Sequence, residues 1–348
     1  MLYTSYKKTH RKAKRFCHLN HLQDLEALLQ CEAYKLLLLG QSPPYSYFSI
    51  PKKNGKMRSI EAPQEPLMGI QRKLNTFLQS VYYFHKTNAA YGFLLNLKKD
   101  PAPRHIISNA QRHIGQNYLL NVDMKDFFHQ VTWQKVHHIF AQAPFNFDHK
   151  LAMLLAHLTT NNGRLPMGAP TSPVLSNFAT RFLDQELLAY ALRHHFTYTR
   201  YADDLSFSHK DPITTQHYQA INEIIQSHAF ELNPQKVKFY GKKSPKIVTG
   251  LHVSDTIEVA AEYLLDLDKN TQKLATIMEI KYATGTPTYE AWLEKFIQHI
   301  EGKINFLSMV YGNYHPHYIK AVNQYHNAIE EPDDLEIMQD WLDFPYHI

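Results

Sequence analysis

Two adjacent carboxylates, Asp203 and Asp204, stand at the bend between two strand-like runs. Phe196-Thr197-Tyr198-Thr199-Arg200 alternates with the period of a half-buried strand, and Leu205-Ser206-Phe207-Ser208 does so again beyond the bend. Carboxylates held this close repel each other unless a cation neutralises them, and a hard divalent ion such as Mg²⁺ takes oxygen ligands of this kind. An Asp-rich turn alone is more often a solvated turn. A third carboxylate changes the weighing: Tyr118-Leu119-Leu120-Asn121-Val122 reads as a buried strand that delivers Asp123 to its end. Two carboxylates in one turn and a third from a separate strand suit a pair of divalent cations, one activating an attacking oxygen and one holding a leaving group, which is phosphoryl-transfer chemistry.

The elements that must position them follow from punctuation and periodicity. Leu165-Pro166-Met167-Gly168-Ala169-Pro170-Thr171-Ser172-Pro173 is too rich in proline and glycine for a regular element, and a helix should begin at Ser172 or Pro173 and run through Phe178. Upstream, residues 45–50 and 57–60 read as strands joined through an Asn54-Gly55 turn, a basic hairpin carrying Lys52, Lys53 and Arg58. Asn20 opens an Asn-x-x-Gln cap for a single helix running to Gly40. Gln71 to Phe84 is an amphipathic helix, and residues 134–163 are mostly helical. From about residue 256 apolar residues recur at helical spacing, with breaks at Gly285-Thr286-Pro287 and Gly312-Asn313.

At this point the chain resembles a reverse transcriptase. The strand ending in Asp, the Pro-x-Gly-Ala-Pro-Thr-Ser-Pro loop and the Tyr-Ala-Asp-Asp hairpin occur in that family's order and at about its separations. Asn109-Ala110-Gln111-Arg112-His113 and Val248-Thr249-Gly250 are similar to two elements of the retron class. The resemblance implies an α+β right-hand polymerase with fingers, a palm built on an antiparallel sheet, and a helical thumb. Residues 1–93 would be an N-terminal helix and fingers, 94–133 palm, 134–163 fingers, 164–255 palm with primer grip, and 256–348 thumb with an acidic tail.

The same resemblance implies roles. Asp123 and Asp203 would hold two Mg²⁺ ions, Mn²⁺ being a substitute, with Asp204 a partial ligand or a charge partner. Arg58, with Lys52 or Lys53, would grip the triphosphate, the guanidinium matching phosphate oxygens in pairs where an ammonium acts as a point charge. Lys236, in Asn233-Pro234-Gln235-Lys236, would protonate the pyrophosphate. Phe128 would stack under the sugar and block a 2′-hydroxyl, although Phe127 and Phe128 face opposite ways if extended. Met167 replaces the usual Gln before Gly168-Ala169, so the amide contact to the nascent base pair is absent. Asn109, His113, Val248, Thr249, Gly250 and His252 would engage RNA or primer.

Partners implied are a structured noncoding RNA, its DNA product begun at a guanosine 2′-hydroxyl, deoxynucleoside triphosphates, and an effector protein in anti-phage defence. A nucleic-acid-binding scaffold restraining an effector, or an intron-type or template-independent polymerase, are the alternatives. The three-carboxylate set argues against a purely structural role.

Composition agrees. At 348 residues the chain exceeds one ordinary core. No apolar run is long enough to span a bilayer, no apolar segment with a cleavage site follows the basic N-terminus, and only Cys17 and Cys31 occur, so a cytoplasmic location is expected. Cys17, His18, His21 and Cys31 match no familiar zinc spacing. Seven of the 32 carboxylates lie beyond Lys320, where no Lys or Arg follows, so residues 1–320 carry +12 against +5 for the whole chain. A basic body is the footprint of a phosphate-backbone partner. Lys7, Lys8, Arg11, Lys12, Lys14 and Arg15 form a block without acids, read equally as a nucleic-acid-contacting arm or a solvated terminus.

Overall fold

The computed structural model describes residues 5–51, 55–284 and 290–330. They divide into two compact units, one ending at Thr249 and one beginning at Gly250.

The first unit opens with α1 (Tyr6–Cys17), α2 (Leu22–Leu29) and α3 (Ala33–Gln41). The basic block is α1: Thr9, Ala13 and Phe16 are buried at helical spacing, and the cations occupy the other faces. The expected single helix from Asn20 to Gly40 is two helices, because Gln30 turns left-handed at φ 52° and closes α2. Its start is also corrected. Asp24, not Gln23, accepts the Asn20 and His21 amides at 2.9 and 3.0 Å, since a carboxylate is the stronger acceptor at a helix N-terminus.

The hairpin of β1 (Tyr45–Pro51) and β2 (Met57–Pro63) pairs Ile50 with Arg58. Lys52, Lys53 and the Asn54 turn lie outside the described residues, as do the break at residues 285–287 and the acidic tail beyond Glu330. After α4 (Leu67–His85) and the short α5 (Ile106–Gln111) comes β3 (Tyr118–Asp123), then a 3-10 turn (Phe127–Gln130), α6 (Trp133–Ala141) and α7 (His149–Thr159). The proline-glycine loop leads into α8 (Ser172–Ala179), with proline at its first turn, where the missing N–H costs nothing. There follow α9 (Arg181–Arg193), β4 (Thr197–Tyr201), β5 (Asp204–His209), α10 (Thr215–Ser227), β6 (Lys238–Tyr240) and β7 (Lys246–Val248).

A four-stranded antiparallel sheet in the order β4-β5-β3-β6 sits at the centre of this unit. Leu120, Val122, Tyr198, Leu205 and Phe207 point into one core with Leu175, Phe178, Leu183 and Leu187 of α8 and α9. Burial of this order, at roughly 25 cal/mol per Å² of apolar surface, is what anchors the strands whose ends carry the carboxylates.

The second unit is β8 (Leu251–Val253) paired antiparallel with β9 (Ile257–Val259), then α11 (Ala261–Thr284), α12 (Glu290–Tyr311) and α13 (Pro316–Ile329). Leu267, Leu274, Ile300, Ile304 and Leu307 form its apolar interior, and the Tyr311 hydroxyl accepts the Val259 amide at 3.0 Å. No described helix is long and apolar enough to cross a membrane.

Candidate active site

Register places the three carboxylates. Asp123 is the last residue of β3 and pairs directly with Asp204, the first residue of β5, while Asp203 occupies the turn between β4 and β5. Facing residues of an antiparallel pair have Cα atoms about 4.5–5.5 Å apart, so three negative charges meet at one sheet end. The ladder continues past it: the Met124 amide donates to the Asp203 carbonyl at 2.9 Å, and the Asn233 amide to the Asp123 carbonyl at 2.8 Å. The second bond fixes the loop bearing Lys236, whose Nζ lies 2.7 Å from Asp123 Oδ2.

The electrostatics record the crowding. Burial and the Asp123 charge raise the Asp203 carboxyl above its usual range, with Lys236 and Arg58 pulling it back. Asp204 is pushed up to about 7 by burial and by the Asp203 and Asp123 charges. Its side chain reaches solvent, so the neighbouring carboxylates weigh most. Burial works against the Lys236 charge, yet its bond to Asp123 and the other two carboxylates hold the ammonium above the ordinary lysine range.

These groups open on a cleft of about 780 Å³ lined by Asp123, Asp203, Lys236, Arg58, Phe128 and Met167, among other residues that include Lys56, Phe93 and Phe127. Asp204 is not among the lining residues. Arg58 is exposed on β2, and Met167 and Gly168 are held against that strand: the Glu61 amide donates to the Met167 carbonyl at 2.8 Å. A Cβ on Gly168, whose φ is 133°, would lie 2.8 Å from both the Glu61 carbonyl oxygen and Ile60 Cγ2. The proline-glycine loop therefore docks its glycine on β2, and Ala169 is buried. The buried Glu61 carboxylate completes the joint by accepting from Arg164 Nη1 at 2.8 Å and Asn161 Nδ2 at 2.7 Å.

Phe127 and Phe128 are not extended but lie in the 3-10 turn. Phe127 is buried with its ring centroid 6.2 Å from that of Phe230; Phe128 is half-buried, 5.9 Å from Phe93. Phe128 is thus the freer of the two toward the cleft.

His113 corrects an expectation. It is fully enclosed, with one ring nitrogen 2.7 Å from Ser208 Oγ and the other 2.8 Å from Thr199 Oγ1, so it ties α5's end to the backs of β4 and β5. Burial and the nearby Arg112 charge lower its pKa to about 3. A ring with both nitrogens engaged inside the protein has nothing left to offer RNA. Asn109 is 1% exposed and likewise cannot reach a partner, its side-chain oxygen being enclosed without a donor among the described residues. Val248 is buried; Thr249, at φ 48°, donates its hydroxyl to the Ile106 carbonyl at 2.9 Å, binding β7's end to the start of α5. Gly250, at φ 81°, is exposed, and His252 is half-buried on β8.

Sequence reasoning missed the support behind the carboxylate turn. Arg200 of β4 is 0% exposed and forms a bidentate pair with Asp184 of α9, Nε to Oδ1 and Nη2 to Oδ2 both at 2.7 Å. The signal was available: an Arg in an otherwise enclosed strand, and an Asp on the Leu183-Leu187 stripe of a helix, each demand a buried partner.

The reverse transcriptase (RNA-dependent DNA polymerase) family matches residues 50–253, a span that holds the three carboxylates, the proline-glycine loop and Lys236. The chain belongs to that family. Among curated proteins, this reverse transcriptase is 31% identical over 237 residues to the retron Mx65 reverse transcriptase of Myxococcus xanthus, covering 63% of this chain and 53% of the relative. It is 30% identical over 292 residues to the retron Mx162 enzyme of the same organism, covering 76% and 57%. With the retron Ec86 reverse transcriptase of Escherichia coli it is 30% identical over 244 residues, covering 68% and 72%, which makes it a retron-type member. The chain spans a little over half the length of the two Myxococcus relatives. Among solved structures, telomerase from Candida albicans with a fragment of telomeric RNA aligns over 88% of this chain and 67% of that one at a TM-score of 0.49 and 12% identity.

Proposed function

We propose that this reverse transcriptase is an RNA-directed DNA polymerase that copies a structured noncoding RNA. Synthesis would start from an internal guanosine 2′-hydroxyl, leave a branched RNA–DNA product, and serve anti-phage defence with an effector protein in the cytoplasm. The observation that carries the reading is the meeting of Asp123, Asp203 and Asp204 at one sheet end, beside a cleft that Arg58 also lines. We assign β1–β2 with α6 and α7 to fingers, the four-stranded sheet to the palm, and α11–α13 to the thumb.

In the reaction a hydroxyl oxygen of the growing strand bonds to the α-phosphorus of a deoxynucleoside triphosphate, and the bond from that phosphorus to pyrophosphate breaks. Two divalent cations, Mg²⁺ or Mn²⁺, would supply charge neutralisation and an activated oxygen when bound. Among the described residues no three carboxylate, histidine or cysteine groups stand arranged as a ready cation cage. The donor chemistry nonetheless fits: Asp203 faces the cleft with a raised pKa that positive charge would relieve, and Asp123 already holds the Lys236 ammonium. Asp123 and Asp203 are the ligands we assign, with Asp204, off the cleft, as charge partner. Arg58 and Lys56 meet the triphosphate, Phe128 faces its sugar, and Met167 and Gly168, clamped to β2, shape the base-pair floor. Lys236 pairs with Asp123 and is placed to give a proton to departing pyrophosphate. Gly250 and His252 are the remaining candidates for RNA contact.

The test supplies the folded noncoding RNA transcribed beside the gene, without primer, and scores Mg²⁺-dependent DNA covalently joined to it. A branched product resistant to protein removal and released as DNA by ribonuclease supports the proposal. DNA made only from an annealed primer would leave a polymerase without the retron start.

A further inference from the structure

We propose that Arg200 is the positioning residue of the carboxylate turn, holding Asp203 and Asp204 at the sheet end through the carbonyl of Ala202. The inference rests on the reading that these carboxylates carry the chemistry.

Ala202 has φ 58°, a left-handed conformation that a side-chain-bearing residue keeps only when its surroundings impose it. The surroundings here are specific. Arg200 Nη1 donates to the Ala202 carbonyl at 3.0 Å and to Asn177 Oδ1 at 3.1 Å, while its other two nitrogens are spent on Asp184. Asp184 is itself filled, accepting also from the Tyr198 hydroxyl at 3.0 Å and the Thr87 hydroxyl at 2.8 Å. The guanidinium therefore cannot swing, and the carbonyl it holds belongs to the residue immediately before Asp203. A guanidinium can do this because its donors form a rigid planar fork; an ammonium in its place pairs with Asp184 or with Ala202 but lacks the reach in fixed directions for both.

A second clamp acts on the same peptide from the other side. A Cβ on Gly92 would lie 2.6 Å from the Ala202 nitrogen and 3.2 Å from the Tyr201 carbonyl carbon, so the two backbones touch. Gly92 is kept there by Asn177 Nδ2, which donates to its carbonyl at 3.0 Å, and by the backbone bonds of Arg200 to Ala89 and Tyr91 at 2.7 and 2.8 Å. Asn177 thus joins both clamps. A pair that served only as a buried staple would need neither the bond to Ala202 nor the contact with Gly92.

The experiment compares Arg200→Lys, Gly92→Ala and Tyr198→Phe with wild type in steady-state primer extension, Mg²⁺ titration and thermal melting with and without Mg²⁺. Gly92→Ala leaves the ion pair whole and pushes only on the turn; Tyr198→Phe removes a donor from Asp184 and leaves the turn alone. Displacing reacting groups by an ångström costs up to about 10²-fold, so Arg200→Lys and Gly92→Ala should lower kcat by roughly 10- to 100-fold. The KM for triphosphate should change less than about threefold, more Mg²⁺ should be needed for half-activation, and the Mg²⁺-induced rise in melting temperature should shrink. Tyr198→Phe should lower the melting temperature with kcat kept. If Arg200→Lys does not fold, Gly92→Ala decides alone. Losses of activity that merely track the folded fraction, or an equal kcat loss in Tyr198→Phe, overturn the inference. Retained synthesis in Asp203→Asn would instead overturn the reading beneath it.

Discussion

Replacing His113 by alanine should destabilise the sheet rather than disturb RNA recognition, and the size of the effect can be worked from its surroundings. The ring fills an enclosed site and satisfies Ser208 and Thr199, both within 2% of full burial. Truncation strands two buried hydroxyls, at about 1–3 kcal/mol each, and opens a cavity, so the loss should be roughly 3–5 kcal/mol. For a unit of this size that is a fall of about 6–15 °C in melting temperature. The pH dependence has a definite sign. His113 titrates near 3 when folded and near 6.5 when unfolded, so below pH ~6.5 the unfolded chain takes up the proton and the wild type loses stability. Each pH unit in that window is worth up to about 1.4 kcal/mol, so the gap between wild type and His113→Ala should narrow by about 2 kcal/mol from pH 7.5 to 5. Taking the difference removes the other histidines with lowered pKa, among them His85, His105 and His129, which fail in the same direction. The assay is thermal melting across that range, with self-primed and annealed-primer synthesis measured beside it. Unchanged melting with selective loss of self-primed synthesis would refute the argument and return His113 to the RNA.

Phe128→Ala should raise ribonucleotide incorporation relative to deoxyribonucleotide in a competitive extension assay, whereas Phe127→Ala should lower the melting temperature because Phe127 belongs to the core. An unchanged ratio would remove Phe128 from the sugar site. Without divalent cations, Asp204→Asn should melt higher than wild type at pH 8 by about 2–4 °C, from roughly 1 kcal/mol of relieved repulsion at a solvent-exposed site. The advantage should shrink steadily as pH falls below about 7 and vanish only near pH ~4, since a raised carboxyl pKa means stability lost as pH rises from the unfolded carboxyl range toward about 7; an advantage that grew in acid would contradict it.

The carboxylate constellation was legible because its residues sit at strand ends, where period-2 patterning and a turn fix which groups meet. Asp123 facing Asp204 follows once β3 and β5 are paired. His113 was not legible in the same way: a histidine near a family motif reads as a contact residue, and only the long-range partners Ser208 and Thr199 show that it is core. Arg200 and Asp184 lie 16 residues apart on different elements, and no local spacing links a strand to the helix before it. The split of α2 from α3 turned on Gln30, a residue type with no strong preference for the left-handed conformation that it adopts.

The most direct measurement of the central claim is Mg²⁺-dependent primer extension by Asp123→Asn and Asp203→Asn, with RNA affinity titrated against salt in parallel. Charge on these oxygens is needed at the reacting groups, while RNA affinity rests on Lys and Arg contacts to phosphate. Extension should fall by more than about 10²-fold with RNA affinity held within about threefold. Extension near the wild-type rate by either variant would contradict the account.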